Sequence, residues 1–165
     1  HLNNHIKFMI QNIELIDFKK IKPLRSAIVN ANNDLAILSA KKAYELGLIK
    51  PVLIGNSSII KDLLIDNDCP EFQKLIVESD SEVKSAQIAS NMAKNDEVSL
   101  IIKGHMHSDI LMSEFINPEY NLLIKGSRLS HIWMMSFEDD RNPLIITDGA
   151  LNICLLYTSP SPRDA

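Results

Sequence analysis

Ala27-Ile28-Val29-Asn30-Ala31-Asn32-Asn33-Asp34 is the stretch that decides the fold. Ala27-Ile28-Val29 reads as a short strand buried on both faces. The asparagines and aspartate that follow suit a helix start, because their short polar side chains accept hydrogen bonds from the unpaired N–H groups of a first turn. Residues 34–46 then carry a helical period, with Ala36, Ala40 and Ala43 on one face and Leu35, Leu38 and Leu46 beside it. Gly47 stands where a C-terminal cap belongs. A strand, a polar loop and a helix in this order form the repeating unit of a covered parallel sheet.

The unit recurs downstream. Pro51-Val52-Leu53-Ile54-Gly55 reads as a second strand ending in a turn glycine, and Ser57 or Ser58 is expected to cap a short helix through Leu64. Leu75-Ile76-Val77 reads as a third strand. Residues 80–94 give the clearest helical pattern, with Val83, Ala86, Ala89 and Ala93 at helical spacing and Ile88 and Met92 beside them. Val98 to Ile102 is a fourth strand, apolar except for Ser99, and Ile132-Trp133-Met134-Met135 and Leu144-Ile145-Ile146 are two more. The predicted class is α/β, with Rossmann-like α/β/α layers around a mostly parallel sheet. Residues 1–22, rich in Lys, Asn and Ile, read as an N-terminal segment or linker, and residues 23–153 as a partial domain.

Composition bounds the function. The chain has 165 residues, 45% hydrophobic and 23% charged, with a net charge of −4. That suits a globular domain with a core of its own. No basic run is present that could follow a phosphate backbone, which argues against nucleic acid as a partner. Apolar runs such as Leu144-Ile145-Ile146 are far too short to cross a bilayer. Cys69 and Cys154 make neither a disulfide framework nor a metal-ligand spacing, so a reducing cytoplasm is the expected compartment. The first residue is His1 rather than Met, which leads us to expect truncation at the start. From Cys154 to Asp164 the chain matches, over eleven consecutive residues, the translation of a transposase-type sequencing adapter. Residues 154–165 are therefore expected to be adapter-derived, and the protein to have continued past Ile153.

In parallel α/β sheets, ligands sit beyond the C-terminal ends of the strands. Three loops leave such ends here, Asn30 to Asp34, Lys103 to Asp109 and Thr147 to Asn152, and a further polar segment, Lys125 to His131, precedes the strand Ile132-Trp133-Met134-Met135. Lys103-Gly104-His105-Met106-His107-Ser108-Asp109 offers a cation, a glycine that permits close backbone approach, and a helix start that Ser108 or Asp109 could cap. It reads either as a cradle for a phosphate or carbonyl oxygen or as an ordinary capped turn. Lys125-Gly126-Ser127-Arg128-Leu129-Ser130-His131 offers two cations and two hydroxyls, and Arg is the preferred fork for phosphate oxygens. A solvated polar hairpin is the alternative. Thr147-Asp148-Gly149-Ala150-Leu151-Asn152 follows an apolar strand, and Asp148 could orient a substrate, act as a base or form an Asx turn. His105 and His107 invite a metal with His131 or Asp148, although two loop histidines without a fixed third ligand define no site.

Together these segments resemble the phosphate acetyltransferase/phosphate butyryltransferase family. The resemblance rests on Ala43-Tyr44-Glu45-Leu46-Gly47-Leu48-Ile49-Lys50-Pro51-Val52-Leu53-Ile54-Gly55 and on Lys103-Gly104-His105-Met106-His107-Ser108-Asp109. It rests also on Arg128-Leu129-Ser130-His131 and on the segment from Pro143 to Ile153, all in the family's order across residues 25–153. It is strongest to the branch in which this domain follows an enoyl-CoA hydratase-like domain. Many family members carry an Arg a few residues beyond the Lys-Gly motif, where this chain has Ser113.

The resemblance implies reversible transfer of an acetyl or butyryl group between coenzyme A and inorganic phosphate, without metal or prosthetic group. It implies two α/β domains of isocitrate/isopropylmalate dehydrogenase-like architecture around a cleft, cut here before the second is complete, and a homodimer at full length. The family's catalytic Ser, Arg and Asp lie in its later half, so no residue of this chain inherits those roles and the fragment is expected to be inactive. Lys103, Gly104, His105, Ser108, Arg128, Ser130, Asp148 and Asn152 are the expected substrate-binding residues. Two other readings stay open: a metal-dependent hydrolase using His105, His107 and Asp148, and a non-catalytic CoA-binding module.

Overall fold

A computed structural model describes residues 22–124, 129–135, 137 and 144–147. The described residues fall into two compact units, one within 22–124 and one within 129–147.

The first unit follows the alternation written in the sequence. It contains β1 (Leu24–Val29), α1 (Asp34–Glu45), β2 (Ile49–Gly55), α2 (Ser57–Asp66), a 3-10 turn (Pro70–Leu75), β3 (Ile76–Glu78), α3 (Glu82–Lys94), β4 (Leu100–Lys103) and α4 (Ser108–Phe115). The four strands form one sheet in the order β3-β2-β1-β4, every pair parallel. Ala27, Ile28 and Val29 pair with Val52, Leu53 and Ile54 on one side and with Ile101, Ile102 and Lys103 on the other.

Successive side chains of a strand point to opposite faces, so an all-apolar strand needs cover on both. On one face Ile28 and Leu53 pack with Ile37 and Ala40 of α1, Ile60 and Leu64 of α2, and Cys69 and Phe72. On the other, Ala27, Val29, Val52 and Ile54 pack with Ala86, Ala89 and Met92 of α3, Met106, and Leu111 of α4. This is the expected three-layer α/β/α arrangement. Ile37 is fully buried, whereas Leu35 is 56% exposed, so the apolar stripe of α1 runs through Ala36, Ile37 and Ala40 rather than toward the leucines.

The helix ends follow local chemistry. Asn33 caps α1, its Oδ1 accepting from the Ala36 N–H at 3.0 Å. Gly47, at φ +72°, closes α1 in a Schellman turn, with its N–H bonded to Tyr44 O and the Leu48 N–H to Ala43 O, both at 2.9 Å. Neither Ser57 nor Ser58 caps α2. Asn56 does, accepting from the Ser58 and Ile59 N–H groups at 3.0 and 3.1 Å, because its carbonyl oxygen reaches both donors of the first turn. Ser81 caps α3 through the Lys84 N–H.

In the second unit, β5 (Ile132–Met135) and β6 (Leu144–Thr147) form an antiparallel pair, with Trp133 opposite Ile146 and Met134 opposite Ile145. Trp133 Nε1–H donates to His131 Nδ1 at 3.0 Å.

Candidate functional site

The order β3-β2-β1-β4 places the second and third strands on one side of β1 and the fourth on the other. The loops after β1 and β4 therefore diverge toward helices on opposite faces, α1 and α4. At such a switch point a crevice opens beyond the strand ends, the usual ligand position in this class of sheet. The loop of Asn30 to Asn33 and the loop of Gly104 to His107 form it.

Backbone pairing continues past the strand ends and sets the shape of this crevice. Gly104 N–H donates to Val29 O at 2.8 Å, and His105 N–H to Asn30 O at 2.9 Å. A Cβ on Gly104 would stand 2.6 Å from both Val29 O and Asn30 O, so only glycine lets the two loops lie this close. Asn30 adopts φ +57°, a left-handed conformation that Asn tolerates better than other chiral residues. Its side-chain amide donates to the carbonyl of His105, so the His105 peptide is held through both its N–H and its C=O.

The asparagines that the sequence presents as a capping cluster divide their work. Only Asn33 caps a helix. Asn32 Nδ2 donates to Asn30 Oδ1 at 2.6 Å, and Asn32 Oδ1 accepts the Asn56 N–H at 2.9 Å. A chain of amide hydrogen bonds thus runs from the loop after β2, through Asn32 and Asn30, to the loop after β4. Nothing in linear spacing reveals it; the only sequence signal is the density of Asn at two strand ends.

Lys103, Gly104 and His105 lie together at this crevice. Lys103 Nζ donates to Met106 O at 2.9 Å, bridging its own turn. His105 is exposed, with its Nδ1 3.4 Å from Asn33 Nδ2. Ser108 opens α4, but neither it nor Asp109 is the N-cap residue. His107 occupies that position and makes no side-chain cap bond. Glu82 of α3, which sequence reading passed over, stands against this helix start instead. Its Oε2 accepts the His107 N–H at 3.0 Å and lies 3.2 Å from His107 Nδ1. These bonds, the backbone one first, hold the Glu82 carboxyl below the usual carboxylate range. The equivalent position at α2 is filled by Glu78, whose Oε2 accepts the Ser57 N–H at 2.9 Å. Hydrogen bonds from Ser57 lower the Glu78 pKa likewise. Both helix starts thus already hold a carboxylate of the protein itself.

A cavity of about 340 Å³ adjoins the crevice between α1 and β4. Its walls are mostly apolar, including Ile28, Leu35, Ala36, Ala40 and Ile102, and Asn33, Lys103 and Gly104 also line it.

Ser130 lies in the second unit, and Arg128, Asp148 and Asn152 lie outside the described residues. Among the described residues, no group of three or more His, Cys, Asp or Glu is placed to hold a metal ion. His105 and His107 have different neighbours, Asn33 and Glu82. Asp148, the carboxylate of the hydrolase reading, is outside the described residues. No described helix is long and apolar enough to cross a membrane.

No profile of a known protein family matches the chain. Over 133 residues, 81% of this chain and 38% of the relative, it is 35% identical to a phosphate acetyltransferase of Rickettsia typhi. Over 134 residues, 80% of the chain and 38% of the relative, it is 37% identical to the phosphate acetyltransferase of Rickettsia felis. The chain thus spans 38% of the length of the curated relatives it matches. Among solved structures, a branched-chain phosphotransacylase from Enterococcus faecalis V583 superposes with a TM-score of 0.58 at 21% identity, covering 79% of this chain and 45% of that one. A phosphotransacetylase from Streptococcus pyogenes gives 0.57 at 12% identity, covering 75% of this chain and 46% of that one. At such identities the likeness shows a shared fold.

Proposed function

We propose that this homologue of phosphate acetyltransferases forms one wall of a site that moves an acetyl or butyryl group between coenzyme A and inorganic phosphate. One observation carries the reading: the Lys103-Gly104-His105 turn, part of the family-like sequence, stands at the switch-point crevice of a parallel sheet. The reaction needs a base for the CoA thiol, donors for a tetrahedral oxyanion and cations that hold phosphate in line. Here Lys103 supplies positive charge, while Gly104 and the asparagine chain fix the turn that presents His105.

In this reading Ser108, Arg128, Ser130, Asp148 and Asn152 contribute further contacts, and no metal or prosthetic group is required. The thiol base and the principal oxyanion donors come from sequence equivalent to the part of the relatives that this chain does not match. Isocitrate/isopropylmalate dehydrogenase-like architecture, a homodimer, an upstream enoyl-CoA hydratase-like domain and a cytoplasmic location belong to the same proposal. So do an N-terminal segment over 1–22, a partial transferase domain over 23–153 and an adapter-derived tail over 154–165.

The test is phosphate-dependent release of CoA from acetyl-CoA and butyryl-CoA. It is run on this chain and on a chimera in which the chain replaces the matching segment of the Rickettsia typhi protein. Transfer by the chimera and none by the chain alone is the expected result. A folded chimera that binds acetyl-CoA without transferring its acyl group would favour a CoA-binding module instead.

A further inference from the structure

We propose that Asn33 fixes the imidazole of His105 in its Nε2–H tautomer, so that His105 presents a hydrogen-bond donor to an oxygen of the bound ligand. The ligand half of this statement rests on the acyltransferase reading; the tautomer half does not.

The orientation of Asn33 is set by the helix it begins. Its Oδ1 accepts the Ala36 N–H at 3.0 Å, so the amide cannot turn over without leaving that first-turn donor unpaired. The NH₂ group is thereby directed the other way, where Nδ2 lies 3.4 Å from His105 Nδ1. An amide nitrogen can only donate, so Nδ1 must present its lone pair and the hydrogen of the neutral ring must sit on Nε2. A hydrogen bond at one ring nitrogen commonly settles the state of the other in this way.

The main chain that carries the ring is anchored as well. The His105 peptide is bonded to Asn30 through both its N–H and its C=O, and Gly104 leaves no room for the turn to shift toward β1. His105 is exposed at the crevice, beside Lys103. A fixed donor next to a cation suits an oxygen that carries or develops negative charge, such as a phosphate oxygen or the carbonyl oxygen of a thioester. Asn33 is then a positioning residue and His105 the contact.

The imidazole nitrogen shifts of His105 read the tautomer directly, recorded on the ¹⁵N-labelled chain at alkaline pH where the ring is neutral. Nε2–H is expected. Asn33→Asp keeps an oxygen for the helix cap and replaces the donor facing His105 with an acceptor, so the ring should convert to Nδ1–H while the melting midpoint stays in place. Asn33→Ser keeps a cap oxygen and removes the donor, and should give a mixture. Titration with inorganic phosphate, CoA and acetyl-CoA then follows Nε2. A shift with acetyl-CoA but not CoA identifies the thioester carbonyl, and a shift with phosphate identifies a phosphate oxygen. Either should weaken at least several-fold in Asn33→Asp. A mixed or Nδ1–H ring in the unsubstituted protein overturns the proposal, as does an unchanged tautomer in Asn33→Asp. Acetyl-CoA that perturbs Lys103 but leaves His105 Nε2 unmoved removes the donor role and spares the acyltransferase reading. No binding of any of the three ligands removes the donor role, and transfer by the chimera then decides the acyltransferase reading separately.

Discussion

Asn32 Oδ1 accepts the backbone N–H of Asn56 at 2.9 Å, so the loop after β1 is bonded to the residue that caps α2. Asn32 Nδ2 continues the chain to Asn30 Oδ1 at 2.6 Å. One side chain therefore serves two loops. Gly55 is matched to it, because a Cβ there would collide with Asn32 Oδ1. Asn32→Ala should destabilise the protein by about 1–3 kcal/mol, the usual cost of stranding partly buried polar partners. Urea unfolding would measure it. Asn32→Asp keeps an acceptor for Asn56 but sets a carboxylate oxygen against Asn30 Oδ1, and should lose comparable stability.

Gly104→Ala tests the close approach of β1 and β4. The added methyl meets two backbone oxygens, Val29 O and Asn30 O, and neither can move without opening strand pairing. Overpacking of this kind typically costs about 1–3 kcal/mol. The variant should unfold earlier in urea and show faster amide hydrogen exchange at His105, whose N–H bond to Asn30 O must lengthen.

Acid sensitivity should reside in two carboxylates, the exposed Glu78 and the half-buried Glu82. Glu78 and Glu82 both have pKa values lowered by hydrogen bonds, from Ser57 and His107 respectively. A carboxyl whose folded pKa lies below its unfolded value contributes stability that is present above the unfolded value. That contribution is lost as pH falls through the folded one. Stability should therefore be level in this respect at neutral pH and decline below the ordinary glutamate range. Glu78→Gln and Glu82→Gln should each flatten that acid limb in melting experiments across pH. Glu82→Gln should do so by loosening the start of α4.

Ser90 offers a prediction of the opposite sign. Its hydroxyl is buried in α3 without a hydrogen-bond partner among the described residues, in the layer that also contains Ala86 and Ala89. A buried unpaired hydroxyl opposes folding, and alanine fits the space without it. Ser90→Ala should be neutral or stabilising by up to about 1 kcal/mol in urea unfolding.

The second unit places an apolar sequence in the open. Ile132, Trp133, Met134 and Ile145 are between 53% and 64% exposed. Trp133 is the sole tryptophan, so its emission reports this unit alone. Solvent-like emission that shifts to the blue on raising protein concentration, and does not shift in Ile145→Lys, would show that the strand pair drives association.

The sequence alone determined the layers. Ala27-Ile28-Val29 and Val52-Leu53-Ile54 have no polar face, so each strand required cover on both sides, and the intervening helical periods supplied it. Gly47 also announced its helix end, because a Schellman turn needs the left-handed backbone that glycine adopts without strain. The family-like turn at Lys103, Gly104 and His105 was equally legible as a candidate ligand loop. The roles within that loop were not. A capping oxygen looks the same in sequence whether it belongs to Asn32, Asn33, Asn56 or Ser57, and backbone geometry alone assigns it. No motif or spacing singles out Glu78 and Glu82, yet the fold sets them against helix starts that begin 21 residues before one and 26 after the other. Which strand lies beside β1, and hence where the crevice opens, depends on the crossover to β4. Only the tertiary structure decided that step, because a parallel strand of this composition could pair at either edge of the sheet.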